Sequence, residues 1–353
     1  MLEDASAGRL ARFYRAEVAG DVIESAPARR DLFGSTSRHY VTTEAVQTGR
    51  GCSHHCRYCS VTAFHQGRRR NRPLEDVLSE LRSCGRNFMF VDDNIIGDVD
   101  YARKLFEAMK PMRKRWVSQC SLEIADDAEL LELARQAGCV GLFVGVESIR
   151  QENMEAMDKG FHAPSRHAER IRRIRKAGIG VEAGIMVGLD GDDVGVFERT
   201  LRFLQRNRID AVQVNILTPL PGTPLFEDFQ RAGRMVDLDW SHYDFRHVVM
   251  EPKRMTRQEL QDGADWLCGQ FYRLDRILVR SLRALWRLGP VAAVLVWRLN
   301  LTYRYDVLTQ RIVGRNPARS SEQGVLQRLR RWWAGRGRPT DDGTGVERIA
   351  QAS

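Results

Sequence analysis

Three cysteines crowd into the run Gly51-Cys52-Ser53-His54-His55-Cys56-Arg57-Tyr58-Cys59. The spacing, Cys-x3-Cys-x2-Cys, puts three soft thiolates on one short loop. Thiolates of this kind select iron or zinc. On a [4Fe-4S] cube, three thiolates leave one iron without a protein ligand. An open coordination position is what catalysis at a metal needs. Zinc is the competing reading, and its sites usually take a second Cys or His pair downstream at set spacing. No such pair occurs: Cys84, Cys120, Cys139 and Cys268 are isolated. His54 and His55 lie inside the loop, where chelation would be strained. The cube fits the spacing better.

A loop of this kind must be carried by a rigid frame, and the flanking sequence alternates strand and helix. Val41 to Gln47 reads as a strand that leads into the cysteines. Helical spacing follows over Pro73 to Cys84, with Leu74, Val77, Leu78 and Leu81 on one face. Strand patterns then fall at Asn87–Val91, Trp116–Ser121, Cys139–Val146, Gly180–Val187 and Ala211–Leu217. Helical patterns separate them, over Tyr101–Met109, Asp127–Gln136, Ser165–Lys176 and Val194–Arg206. Apolar strands each followed by a helix imply a parallel sheet covered by helices. Six such units fit either an open sheet or a barrel. Asp92, Asp93, Ser121, Glu147 and the cysteine loop all fall at C-terminal strand ends, where both architectures place their sites. No Gly-x-Gly-x-x-Gly follows the first strand, which disfavours a dinucleotide fold.

Beyond Pro224 the texture becomes helical, with one run over Met255–Leu285 and an apolar piece, Val291–Trp297, after Gly289-Pro290. The division expected is a linker-like segment at 1–40, a barrel at 41–226, a mainly helical Arg-rich region at 227–338 and a disordered tail at 339–353. The 353 residues carry 55 Lys and Arg against 46 Asp and Glu, a net charge of +9. The excess sits late in the chain. Between Phe271 and Pro339 there are 15 Arg and three acidic residues, so the remainder is slightly acidic. Nucleic acid, an anionic membrane surface, an acidic partner or plain solvation could each account for such a stretch. Seven cysteines are too few for a disulfide framework. No run reaches the roughly 18 apolar residues that a spanning helix needs. A reducing cytoplasm is the expected setting, with peripheral membrane contact through the aromatic and Arg-rich C-terminal helices as an addition.

The cysteine loop, with Tyr58 just before Cys59, resembles the signature of the radical S-adenosylmethionine (radical SAM) superfamily. Further likeness lies in Phe90-Val-Asp-Asp-Asn-Ile95, Gly145-Val-Glu-Ser148, Gly184-Ile-Met-Val-Gly188 and Leu217-Thr-Pro-Leu-Pro-Gly-Thr-Pro224, which resemble the B12-binding radical SAM group over roughly residues 40–275. The resemblance implies an α/β fold, a partial (β/α)6 TIM-like barrel with a helical extension. It implies that Cys52, Cys56 and Cys59 hold a [4Fe-4S] cluster whose fourth iron takes the methionyl part of SAM. The reduced cluster would then split the S–C5′ bond and give a 5′-deoxyadenosyl radical. Members of the group normally carry an N-terminal cobalamin-binding domain. Only about 40 residues precede the first strand here and they resemble the linker after such a domain, so use of cobalamin is open.

The same resemblance assigns SAM contacts. Tyr58 belongs to the signature. Asp92 or Asp93 would meet the SAM amino group, and Glu147 the ribose or the methionyl end. Ser121 and Gln119 would face the cavity from the third strand. Gly184, Met186 and Gly188 would form the strand against which adenine stacks, since a strand without side chains lets a ring approach the backbone. Thr218 would help close the site.

The expected function is hydrogen abstraction from a small-molecule or lipid substrate. The alternative is a cobalamin-dependent methyl transfer with the corrinoid domain missing or supplied in trans. The electron donor would be external, such as a flavodoxin or ferredoxin. Nucleic acid is disfavoured, because relatives that methylthiolate tRNA carry extra N-terminal cysteines and a C-terminal RNA-binding barrel.

Overall fold

A computed structural model describes residues 1–12, 14, 28–33, 44–159 and 163–313. The chain divides into two units, Met1–Asn300 and Leu301–Ser353, and the features below lie in the first, apart from residues 301–313 of the last helix. The expected tail at 339–353, with Trp332 and Trp333, lies outside the described residues, as do positions 41–43 of the expected first strand.

Six strands form one sheet: β1 (Glu44–Val46), β2 (Asn87–Phe90), β3 (Arg115–Cys120), β4 (Cys139–Glu147), β5 (Gly180–Val187) and β6 (Ala211–Ile216). They lie in chain order and each neighbouring pair is parallel. Helices α1 (Leu74–Ser83), α2 (Val99–Met109), α3 (Ala128–Gln136), α4 (Pro164–Lys176), α5 (Val196–Arg206) and α6 (Pro224–Arg231) follow the strands in turn. β1 and β6 do not pair with each other, so the barrel is partial. Right-handed parallel crossovers of this kind bury one sheet face under helices and leave the other concave.

The period of two assigns the faces. In β3, Trp116, Ser118 and Cys120 are buried, whereas Val117 and Gln119 are more open. In β4, Leu142, Val144 and Val146 are buried and Phe143, Gly145 and Glu147 are half-buried. Under the helices, Trp116 stacks on Phe106 at 5.3 Å between ring centroids and meets Phe90 edge-on at 5.2 Å. Its indole N–H donates to the Ala137 carbonyl at 3.0 Å, so this large ring is buried without an orphaned polar group.

After α6 come α7 (Arg257–Phe271), α8 (Leu274–Leu288) and α9 (Pro290–Val313). A capping box of Thr256 and Glu259 starts α7. Gly263 lets α7 approach α5, since a Cβ there would come within 2.0 Å of the Phe197 ring. The mainly helical stretch expected over Met255–Leu285 holds two helices. The chain breaks at Tyr272-Arg273, where the buried Tyr272 hydroxyl bonds both the backbone N–H and carbonyl of Val212. That anchor to β6 is long-range, and no Gly or Pro announces it.

Candidate active site

The cysteine loop begins where β1 runs into a two-residue ribbon, Gly49–Arg50, paired antiparallel with Arg70–Asn71. Gly51 turns the chain at φ +85°, and a Cβ there would strike the Arg68 carbonyl oxygen at 2.0 Å. Only glycine fits both demands. The Cys59 N–H donates to the Cys56 carbonyl at 3.1 Å, and Cys59 caps a short helix, Ser60–His65. Arg57 fixes the loop from two sides. Its N–H donates to Met157 O, its carbonyl accepts from Leu225 N, both at 3.2 Å, and its guanidinium pairs with Asp228.

His54 Nε2 lies 3.1 Å from Glu123 Oε2, and this bond holds the Glu123 carboxyl below the usual range. His54 is therefore committed to the end of β3 rather than to the thiols. The three thiols stand close enough to act on one another. Burial raises Cys52 and pushes Cys56 up to about 11, and the neighbouring thiolates raise both further. Lys159 works in the opposite direction on Cys56, and Arg69 on Cys52. Crowded, part-buried thiolates are a charge arrangement that bound iron relieves. Among the described residues no three His, Cys, Asp or Glu side chains converge on a point for one ion. A cube gives each thiolate its own iron, so it needs proximity without convergence. The donor set fits the cluster.

Asp92 and Asp93, left as alternatives by the sequence, have separate surroundings. Asp92 is 1% exposed. Its Oδ1 accepts from Thr48 Oγ1 at 2.5 Å, Gly49 N at 2.9 Å and Arg69 Nη2 at 2.9 Å, and its Oδ2 from Thr48 N at 3.0 Å. Both oxygens are spent on joining β1 to the ribbon. Asp93 is half-buried, and its Oδ2 accepts from Gly51 N at 2.9 Å. Of the two, Asp93 is the more open. Ser121 is buried, and its hydroxyl donates to Glu123 Oε2 at 2.9 Å. Gln119 is exposed on the concave face of β3.

At the end of β4 a bulge between Gly145 and Glu147 re-aims the chain, with Glu147 at φ +60°. Glu147 Oε1 accepts from Lys159 Nζ at 2.8 Å, and Lys159 also donates to the Tyr58 hydroxyl at 3.1 Å. A Cβ on Gly145 would come within 2.4 Å of that carboxylate oxygen and 2.9 Å of the ammonium, so the missing side chain makes room for the pair. Burial alone would lower the Lys159 pKa, but Glu147 and the thiolates outweigh it, and the net shift is upward. Burial raises Tyr58 strongly, so its phenol stays neutral. Lys159 is 8% exposed and was not read from the sequence. It ends a short helical stretch, carries no motif, and meets Tyr58 from 101 residues away.

The residues expected to contact adenine on the fifth strand have distinct neighbours. The space beside Gly184 is filled by Phe143, whose Cζ would lie 2.9 Å from an added Cβ. Gly188, at φ +90°, lies against Leu260 and Met250 rather than at the mouth. Met186 is half-buried and in register with Asn215 on the concave side. Thr218 is buried, and its hydroxyl donates to the Ile216 carbonyl at 3.0 Å.

The fold is a parallel open barrel with three neighbouring thiols beyond β1 and an acid–lysine pair beyond β4, a donor set that suits an iron-sulfur cluster. The family model for the Radical SAM superfamily matches residues 46–204. The bacteriochlorophyllide d C-12(1)-methyltransferase of Chlorobaculum tepidum is 29% identical over 271 residues, 75% of this chain and 58% of that protein. The hopanoid C-2 methylase of Rhodopseudomonas palustris is 32% identical over 206 residues, 55% of this chain and 39% of that protein. The chain thus spans about half the length of these curated relatives or less. The cobalamin-dependent S-adenosylmethionine radical enzyme OxsB, solved with aqua-cobalamin and S-adenosylmethionine bound, superposes with a TM-score of 0.54 at 14% identity. That match covers 86% of this chain and 60% of the other, and it is a likeness of fold.

Proposed function

We propose that Cys52, Cys56 and Cys59 hold a [4Fe-4S] cluster and that the chain directs radical chemistry from SAM at a C–H bond of a small-molecule or lipid substrate. When bound, the cluster supplies one electron that splits the S–C5′ bond of SAM into methionine and a 5′-deoxyadenosyl radical. The observation that carries the reading is the placement of three part-buried or buried free thiols on one glycine-turned loop. The chain's own groups suit the cofactor's ends. Lys159 is a buried cation within reach of a methionyl carboxylate, and Asp93 is an open carboxylate for an ammonium. Glu147 and Gln119 lie where ribose hydroxyls need acceptors. Met89 and Val91 alternate with the buried Phe88 and Phe90, so they line the open face of β2 with apolar surface. That lining suits a hydrophobic substrate and keeps water from a radical. The electron comes from an external donor such as a flavodoxin or ferredoxin.

Methyl transfer is the second reading, favoured by the names of the two curated relatives. It requires a corrinoid, and retention of one by the purified protein decides for it. The test of the primary reading is anaerobic reconstitution, reduction and assay of 5′-deoxyadenosine. Replacing Cys56 with Ala is expected to abolish the product and lower bound iron. Full-rate cleavage in that variant would overturn the assignment.

A further inference from the structure

Helix α8 carries an outer face that the barrel does not use. Its inner face is fixed by Ile277, Arg280 and Ala284, all buried. Arg280 donates to Asn300 Oδ1 at 3.0 and 2.7 Å, and Arg287 to Asp210 Oδ2 at 2.8 Å. On the opposite side, at intervals of four residues, Leu274, Leu278 and Leu282 are 49%, 51% and 49% exposed. Trp286 continues the row at 89% exposed, so it does not pack on the barrel. An aligned apolar stripe presented to water marks a contact surface.

The charge around the stripe decides what contacts it. From Arg276 to Asn300 the sequence holds five Arg and no Asp or Glu. The one carboxylate of α8, Asp275, is already paired with Arg273 at 3.1 Å, so a second copy of the chain would set Arg283 against Arg283 with no unpaired anion on the helix to meet it. Lipid headgroup phosphates supply the missing anions. Arg276 and Arg283 lie about a third of a turn from the stripe; Arg276 is half-buried and donates to the Gln270 carbonyl at 2.6 Å, while Arg283 is exposed, and its long side chain can reach a surface that the leucines enter. Trp is the residue that best occupies the boundary between headgroups and acyl chains. No helix among the described residues is long and apolar enough to cross a membrane. A helix lying in the surface meets all these conditions.

We propose that the Leu274–Leu278–Leu282–Trp286 face of α8 docks on an anionic membrane surface. The inference does not rest on the reaction assigned above. Arg287 also donates to the carbonyls of Arg175 and Ile179, just before β5, so the inner face of α8 grips the sheet at its N-terminal edge. The cysteine loop lies past the other edge, and docking leaves the mouth uncovered.

The test is cosedimentation of the full chain with vesicles of phosphatidylcholine containing about one third phosphatidylglycerol, against vesicles of phosphatidylcholine alone. The chain is expected to sediment with the anionic vesicles, less so at high salt. The variant Leu278→Asp/Leu282→Asp/Trp286→Ala changes exposed positions only and is expected to keep its circular dichroism while binding about tenfold less. Arg276→Gln/Arg283→Gln is expected to lose the preference for anionic lipid. Equal binding by the triple variant would overturn the proposal and place the contact elsewhere in the chain. So would absence of binding, or a dimer in light scattering that the triple variant dissociates.

Discussion

Lys159 Nζ sits 2.8 Å from Glu147 Oε1 in the space left by the missing side chain of Gly145. The pair is buried beside the cysteine loop and belongs to two segments that no sequence motif joins. It holds a cation and an anion a hydrogen bond apart at the end of β4.

Breaking this pair by Lys159→Met is expected to cost about 3–5 kcal/mol of unfolding free energy, because Glu147 is left buried and unpaired. SAM affinity is expected to fall about tenfold or more with the loss of a charge-assisted bond. Lys159→Met/Glu147→Leu is expected to recover much of the stability and none of the affinity. Denaturant titration and equilibrium SAM binding read the two effects separately. Wild-type affinity in Lys159→Met would remove the lysine from the cofactor site.

Gly145→Ala tests the space rather than the charge. The new methyl must displace the ion pair, a crowding that costs about 1–3 kcal/mol. Iron content after reconstitution is expected to match wild type, because the cysteine loop is untouched. SAM binding is expected to weaken. Unchanged binding would show that the pair can shift without consequence.

Asp92 and Asp93 are expected to separate by assay. Asp92→Ala leaves Arg69, whose side chain is 4% exposed, without its carboxylate. The expected loss is about 3–5 kcal/mol of stability. Asp93→Ala is expected to cost about 1 kcal/mol or less, as for a part-exposed hydrogen bond, while weakening SAM binding. Thermal melts and ligand titrations on both variants check the split. The opposite pattern would exchange their roles.

His167 gives a pH dependence. Burial, aided by the charges of Arg170 and Lys159, holds its pKa down to about 4, against about 6.5 in an unfolded chain. The neutral ring is favoured by folding, so this contribution is fully present above pH 6.5 and is lost as pH falls through 4. Below pH 6.5 the unfolded state binds the extra proton, and stability drops by about 3 kcal/mol over that window. His167→Gln is expected to lack that part of the acid destabilisation. Denaturation free energies for both proteins at several pH values between 4 and 7 measure it. Parallel loss in the two would assign the effect to other groups.

The frame was legible because its signals are local. Apolar runs such as Val140–Val146 and Val181–Val187 name themselves, and the cysteine loop states its own spacing. The site was legible only where one segment carries it. Two adjacent aspartates look identical until Thr48, Gly49 and Arg69 close around Asp92. Gly184 and Gly188 read as free backbone, yet Phe143 and Leu260 occupy the space beside them. Lys159 reads as a surface lysine until the ends of β4 and the cysteine loop meet around it. Each of these is a contact between distant segments, which spacing along the chain does not encode.

β1 and β6 end the sheet without meeting. A closed cylinder fixes its bore, because every ladder bond resists a change in girth. An unclosed one has a seam that no ladder bridges, and here Arg57 ties the segment after β1 to Leu225 and Asp228 on the helix after β6, so its width is set by one residue's contacts and by twist.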